Sequence, residues 1–252
     1  MTTGTNSRVD SIDSMPRLPL VLLPGMDGTG LLFDPLVSAL DSRLAPKVLS
    51  YPQDRLLDYQ QLESVVRAQL PKEPFVLLGE SFSGPLALSI SAAPPPGLRG
   101  LILCSTFASN PRPFLGAFQP LLGLLSLSTK PTSAFAWPAK HALLGNFATP
   151  ALEALLEKAL HQISPAVMAH RLREVAKFNV LSKLAKIRVP VLYLQATRDR
   201  LVPAKAAAEI ARSIPSMQVQ TIEGPHCLLQ ASPVASAAAI NAFCSQLEVA
   251  AG

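Results

Sequence analysis

The sequence predicts an α/β fold, with a mostly parallel central sheet of about six strands and helices on both faces. Two observations carry this expectation. Short apolar runs alternate with amphipathic segments along the chain, and several of the runs are apolar at consecutive positions, as strands buried on both faces of a parallel sheet are. The expected strands are Leu18–Leu23, Lys47–Tyr51, Phe75–Leu78, Leu101–Cys104, Val189–Ala196 and Met217–Ile222. The expected helices between and after them are Leu56–Gln69, Pro85–Ala92, Ala204–Ser213 and Val234–Leu247.

One gap breaks the rhythm. About 80 residues separate the fourth run from the fifth, too many for a structureless loop in a compact domain. This stretch reads as helical over Phe114–Leu127, Thr132–Leu144, Ala151–Gln162 and Pro165–Phe178, with Ser164-Pro165 as a helix start and Gly145-Asn146 as a break. The expected organisation is a core domain of residues 1–109 and 187–252, interrupted by a helical cap at 110–186. The cap is rich in Leu, Phe and Ala, which suits the wall of an apolar pocket.

Composition narrows the classes. Of 252 residues, 49% are hydrophobic and 15% charged, which gives ample apolar surface to offset the entropy of ordering and excludes a disordered chain. The 24 prolines exclude a coiled coil. The net charge of +5 is spread along the chain, so no nucleic-acid arm is expected. Three cysteines, Cys104, Cys227 and Cys244, are odd in number and widely spaced, which argues against a disulfide framework or zinc site and for a reducing, cytoplasmic setting. The polar N-terminus carries no signal-peptide pattern. The most apolar later stretch, Leu115 to Leu127, is too short to span a bilayer, so no stable membrane insertion is expected.

The strongest chemical signal is Gly79-Glu80-Ser81-Phe82-Ser83-Gly84, directly after a strand and before a helix. In that context a G-x-S-x-G turn lifts a serine hydroxyl above the strand end, in a strained conformation that needs small flanking residues. Here Ser83 takes the second glycine's place and Gly84 follows by one. A glycine-rich turn, Pro24-Gly25-Met26-Asp27-Gly28-Thr29-Gly30, follows the first strand. It lacks the spacing of a phosphate-binding loop. It suits an oxyanion hole, with the N–H groups of Met26 and Phe82 as the expected donors. Gly25 in the same turn and Trp137 in the cap are the candidate substrate contacts. Asp199 lies just past the fifth run, where a carboxylate can orient an imidazole; alone it would equally suit a helix cap or an ion pair with Arg198 or Arg200. His226 follows the last run in a Gly-Pro turn, whereas His141, His161 and His170 fall in the cap. The order of oxyanion turn, Ser, Asp and His, each after a strand, is the one a serine nucleophile on an α/β sheet requires.

On these residues the sequence resembles the α/β-hydrolase superfamily, in its capped carboxylesterase-like branch, over roughly Leu18 to Leu247. The cap layout is similar to that of pimeloyl-[acyl-carrier protein] methyl ester esterases. The resemblance implies Ser81 as nucleophile, Asp199 as acid and His226 as base, acting on small or medium-chain acyl esters through an acyl-enzyme with no metal or organic cofactor. It leaves open a carrier-protein-dependent esterase or thioesterase, or an acyltransferase. Arg112, Lys140, Arg171, Arg173, Lys177, Lys183 and Lys186 in the cap are either a solvated face or a dock for an acidic acyl carrier protein. Two departures stand out in the site. Pro24 replaces the histidine many members carry before the oxyanion glycine, and Ser83 replaces the second elbow glycine. The short N-terminal segment accounts for the expectation of six core strands.

Overall fold

A computed structural model describes residues 18–111 and 140–249. Its six strands are β1 (Leu18–Leu23), β2 (Leu44–Val48), β3 (Phe75–Glu80), β4 (Leu98–Cys104), β5 (Val191–Ala196) and β6 (Gln218–Ile222). They form one sheet in the order β2-β1-β3-β4-β5-β6, and every pair is parallel.

Burial follows from that order. β3 is buried at all six positions, whereas the edge strand β6 is exposed over its first four. Side chains alternate faces with period two. Val21, Leu23, Leu77, Leu101, Leu103, Val191 and Tyr193 join a core with helices α2 (Tyr59–Arg67), α3 (Gly84–Ala92) and, further along the chain, α6 (Lys205–Ser213). Leu20, Leu22, Val76, Leu78, Ile102, Leu192 and Leu194 join a second core with α1 (Asp34–Ala39) and the C-terminal α8 (Pro233–Val249). The sheet is therefore covered on both sides.

The second strand differs from expectation. Lys47–Tyr51 was the apolar run, but β2 runs from Leu44 to Val48 and contains Pro46. An edge strand tolerates a proline that a central strand would not. The apolar residues beyond it serve a different purpose: Leu49 and Tyr51 are buried, and the Tyr51 N–H donates to the Gly28 carbonyl (2.8 Å). The segment after β2 thus lies against the turn after β1.

Between β4 and β5, α4 (Pro150–Leu160) and α5 (Pro165–Lys177) begin at Thr149 and Ser164, each with proline at the first helical position. The hydroxyl of Ser164 accepts from the Val167 N–H (3.2 Å). The expected helix Phe114–Leu127, most of Thr132–Leu144, and Trp137 lie outside the described residues. The short α7 (Leu228–Ala231), which follows His226, had no counterpart in the sequence reading. Among the described residues, no helix is long and apolar enough to cross a membrane.

Candidate active site

Ser81 stands between β3 and α3 with φ of +47°, a left-handed conformation that strains a residue with a side chain. The surroundings hold it there. The Thr106 hydroxyl donates to the Ser81 carbonyl (2.5 Å), and the Tyr59 hydroxyl donates to the Phe82 carbonyl (2.9 Å). The Phe82 ring stacks on Tyr59, with centroids 4.9 Å apart. Thr106 can approach only because position 84 has no side chain: a Cβ on Gly84 would overlap it. That contact accounts for a glycine at 84.

The two departures from the family pattern meet each other. Ser83 is fully buried; its hydroxyl donates to the Pro24 carbonyl and accepts from the Tyr51 hydroxyl (2.5 Å). A side chain at 83 thus ties the elbow to the glycine-rich turn.

The sequence-predicted Ser81, His226 and Asp199 come together. Ser81 Oγ lies 2.8 Å from His226 Nε2. His226 Nδ1 lies 2.9 Å and 3.0 Å from the two carboxylate oxygens of Asp199. Asp199 Oδ1 also accepts from the N–H groups of Leu201 and Val202, both at 2.8 Å, which fixes the carboxylate. Facing a carboxylate, Nδ1 carries the ring proton, so Nε2 is free to accept from the serine. The side chains of His226 and Asp199 are only 6% and 5% exposed, whereas Ser81 is half-buried, so the serine is the open end of the set. Neighbouring arginines do not take Asp199 as an ion-pair partner: Arg198 pairs with Glu223 (3.2 Å) and Arg200 contacts His141. The Arg198 N–H donates to Gly224 (2.9 Å), which joins the acid loop to the histidine loop.

Gly25 is buried in the turn after β1, where its carbonyl accepts from the Gly28 N–H (3.1 Å). Met26 is half-buried in the same turn, and Phe82 is buried at the start of the elbow helix, where N–H groups have no partner within the helix. Arg171 of α5 is part of neither a solvated face nor an exposed dock. It is 2% exposed, and its guanidinium donates to the carbonyls of Met26 (2.8 Å), Asp27 (3.0 Å) and Pro52 (2.9 Å). The sequence reading placed it among surface cations and missed its contact with this turn, although spacing of four places it between Val167 and Val175 on the inward side of α5.

Glu80 was also missed. It is 5% exposed and accepts from the Gln230 amide (3.0 Å). Burial pushes its carboxyl up to about 7, against the Gln230 hydrogen bond; nearby Asp27 pushes the same way and His226 opposes. Gln230 Oε1 is buried without a partner among the described residues. Burial likewise raises the thiols of Cys104 and Cys227, and that of Cys244 to about 12; all three are free. Among the described residues, no three His, Cys, Asp or Glu side chains are grouped to hold a metal ion.

Two stability predictions follow from these contacts. Between the ordinary carboxyl range and about pH 7, the folded chain keeps a Glu80 proton that the unfolded chain has released. Stability therefore falls as pH rises through that window, by up to about 1.4 kcal/mol per pH unit, and flattens above it. Glu80→Gln should remove this slope in urea melts from about pH 5 to 8; parallel profiles for the two proteins would show that Glu80 titrates normally. Ser83→Ala should destabilise by about 1–3 kcal/mol, because the Pro24 carbonyl and Tyr51 hydroxyl lose their buried partner. Adding Tyr51→Phe should recover part of that loss in the same melts.

A family model described as the alpha/beta hydrolase family matches residues 20–239. Phytyl ester synthase 1, chloroplastic, from Arabidopsis thaliana is 34% identical over 115 residues, a match to 43% of this chain and 16% of that protein. The chain thus spans a small part of that relative's length. A solved hydrolase structure from Pseudomonas aeruginosa superposes with a TM-score of 0.78 at 20% identity, over 90% of this chain and 89% of the other. The enol-lactonase from Burkholderia xenovorans superposes at 0.76 and 14% identity, over 92% of each chain. At such identities the superpositions speak for the fold alone. Since the family match runs from within the first strand into the last helix, the chain belongs to the alpha/beta hydrolase family.

Proposed function

We propose that the chain is a serine carboxylic-ester hydrolase acting on small or medium-chain acyl esters. The observation that carries the reading is the continuous hydrogen-bonded path from Ser81 through His226 to Asp199, with the serine on a strained turn. In this reading His226 Nε2 takes the Ser81 proton as Oγ attacks the acyl carbonyl. The N–H groups of Met26 and Phe82 donate to the oxyanion, and Asp199 stabilises the imidazolium. The C–O bond to the alcohol then breaks and His226 returns the proton to the leaving oxygen. Water, deprotonated by His226, attacks the acyl-enzyme and releases the acid and free Ser81.

Residues 110–186 form the cap in this reading. Its support is that groups from this stretch reach the site: Arg171 of α5 meets the glycine-rich turn, and Leu156 of α4 and Leu144 before it pack against Cys227, the neighbour of His226. An apolar wall beside the base suits an acyl chain.

A second reading is favoured by the likeness to phytyl ester synthase 1: the acyl-enzyme passes its acyl group to a long-chain alcohol in place of water. The same residues serve both reactions, since His226 can deprotonate an alcohol as it does water.

A fluorophosphonate probe followed by mass spectrometry should place its adduct on Ser81; an unmodified Ser81 would overturn both readings. Ser81→Ala should abolish ester turnover with the fold intact. Asp199→Asn should lower kcat on the order of 10³- to 10⁴-fold, as loss of the correct tautomer does in other serine triads. Turnover of p-nitrophenyl esters of increasing chain length, compared with carrier-linked and CoA-linked acyl groups and with phytol as acceptor, separates the substrates. Free acid as the main product supports hydrolysis, and phytyl ester supports transfer.

A further inference from the structure

Helix α5 carries Arg171 to the turn after β1. We propose that Arg171 is a positioning residue for the oxyanion hole, its guanidinium holding the turn at Met26 and Asp27 so that the Met26 N–H points where negative charge develops. The inference rests on the serine-hydrolase reading and deepens it.

Three features carry it. First, Nη1 donates to two successive carbonyls, those of Met26 and Asp27, and Nη2 donates to that of Pro52. Two carbonyls aimed at one nitrogen fix two consecutive peptide planes. The turn is closed on its other side by the Gly28 N–H donating to the Gly25 carbonyl (3.1 Å). With both ends tied, the torsions at Met26, and hence the direction of its N–H, are set. Second, Gly28 is shaped for the guanidinium. Its φ is +68°, and a Cβ there would overlap Nη1. Third, the charge is buried at a cost. Among the described residues no carboxylate is within ion-pair distance of it. Three carbonyl dipoles and the faces of Tyr51 and Phe82, at 5.6 Å and 5.9 Å, stand in for one. An apolar side chain would dock α5 without that desolvation, so the guanidinium is explained by what it holds.

Arg171→Met and Arg171→Lys test this. Lysine keeps the charge but offers a single nitrogen, so it cannot reproduce the span from Met26 and Asp27 at Nη1 to Pro52 at Nη2. Each variant should lower kcat about 100-fold with KM within about threefold, the signature of an interaction made in the transition state. Affinity for a trifluoromethyl ketone, whose adduct on Ser81 places an oxyanion in the hole, should fall in parallel with kcat/KM. Amide hydrogen exchange at residues 25–29 should rise while β3 and β4 stay protected.

A folded Arg171→Met or Arg171→Lys protein with wild-type kcat, or a loss confined to KM, would overturn the proposal. If the methionine variant does not fold, the lysine variant decides. If the wild-type protein turns over no ester and gives no Ser81 adduct, the hydrolase reading fails. The clamp is then judged by exchange alone, and unchanged exchange at 25–29 would refute it.

Discussion

One backbone torsion governs this site: the left-handed φ of Ser81. A residue with a Cβ pays about 1–3 kcal/mol to stay there, and it persists only where its neighbours leave no alternative. Those neighbours form a chain of contacts running across the sheet. Thr106, just past β4, donates to the Ser81 carbonyl, and Tyr193 of β5 in turn holds Thr106, donating to its carbonyl (2.6 Å) and accepting from its N–H (3.0 Å). On the other side Tyr59 of α2 fixes the Phe82 carbonyl and ring, and itself packs against Phe178 at 4.4 Å. The strained residue is thereby held by groups from β5, from the segment after β4 and from α2, with Tyr193, Tyr59 and Phe82 in the same core.

Sheet order explains why the remaining groups arrive at the same place. The chain leaves β1 for β2 on one side and reaches β3 on the other, so a crevice opens above the strand ends where these paths part. Register sets the heights. Leu23 of β1 pairs with Gly79 of β3, and Met26 and Phe82 each lie three residues beyond that pair. Ala196 pairs with Ile222, and Asp199 and His226 lie a similar few residues beyond. Parallel pairing therefore brings groups from four loops to one level without any direct sequence signal linking them.

The same logic separates what was legible in the sequence from what was not. β1 was read at its observed bounds because a buried central strand is an unbroken apolar run. β2 was misplaced by three residues at its start because Pro46 and Lys47 sit on an exposed edge, where pattern is weak, while the buried Leu49 and Tyr51 supplied apolar character to a loop. Ser81, Asp199 and His226 were legible because local motifs and chain order constrain them. Arg171, Thr106 and the Glu80–Gln230 pair were not, because their partners lie 25 to 150 positions away and are mostly carbonyls, which every residue possesses. Ser83 read as a tolerated substitution; only the packed structure shows that it has its own partners in Pro24 and Tyr51.

The charges around the crevice are arranged with one sign in view. Attack on an ester places negative charge between Met26 and Phe82 in the proposed reaction, and any ionised carboxylate nearby opposes it through a medium of low dielectric. Of the three buried carboxyl groups among the described residues, Asp199 is held by two N–H groups and the His226 ring, so its charge is directed at the imidazole. Asp27 accepts from the Thr29 N–H (2.8 Å) and hydroxyl (2.5 Å) in the turn whose carbonyls Arg171 holds. Glu80, nearest the serine in sequence, is in no ion pair among the described residues, and burial raises its carboxyl to about 7. A second anion there would face Asp27 directly and lower the acidity of the developing imidazolium, slowing proton return to the leaving group. A neutral acid paired with an amide gives the elbow a buried hydrogen bond without that opposing field.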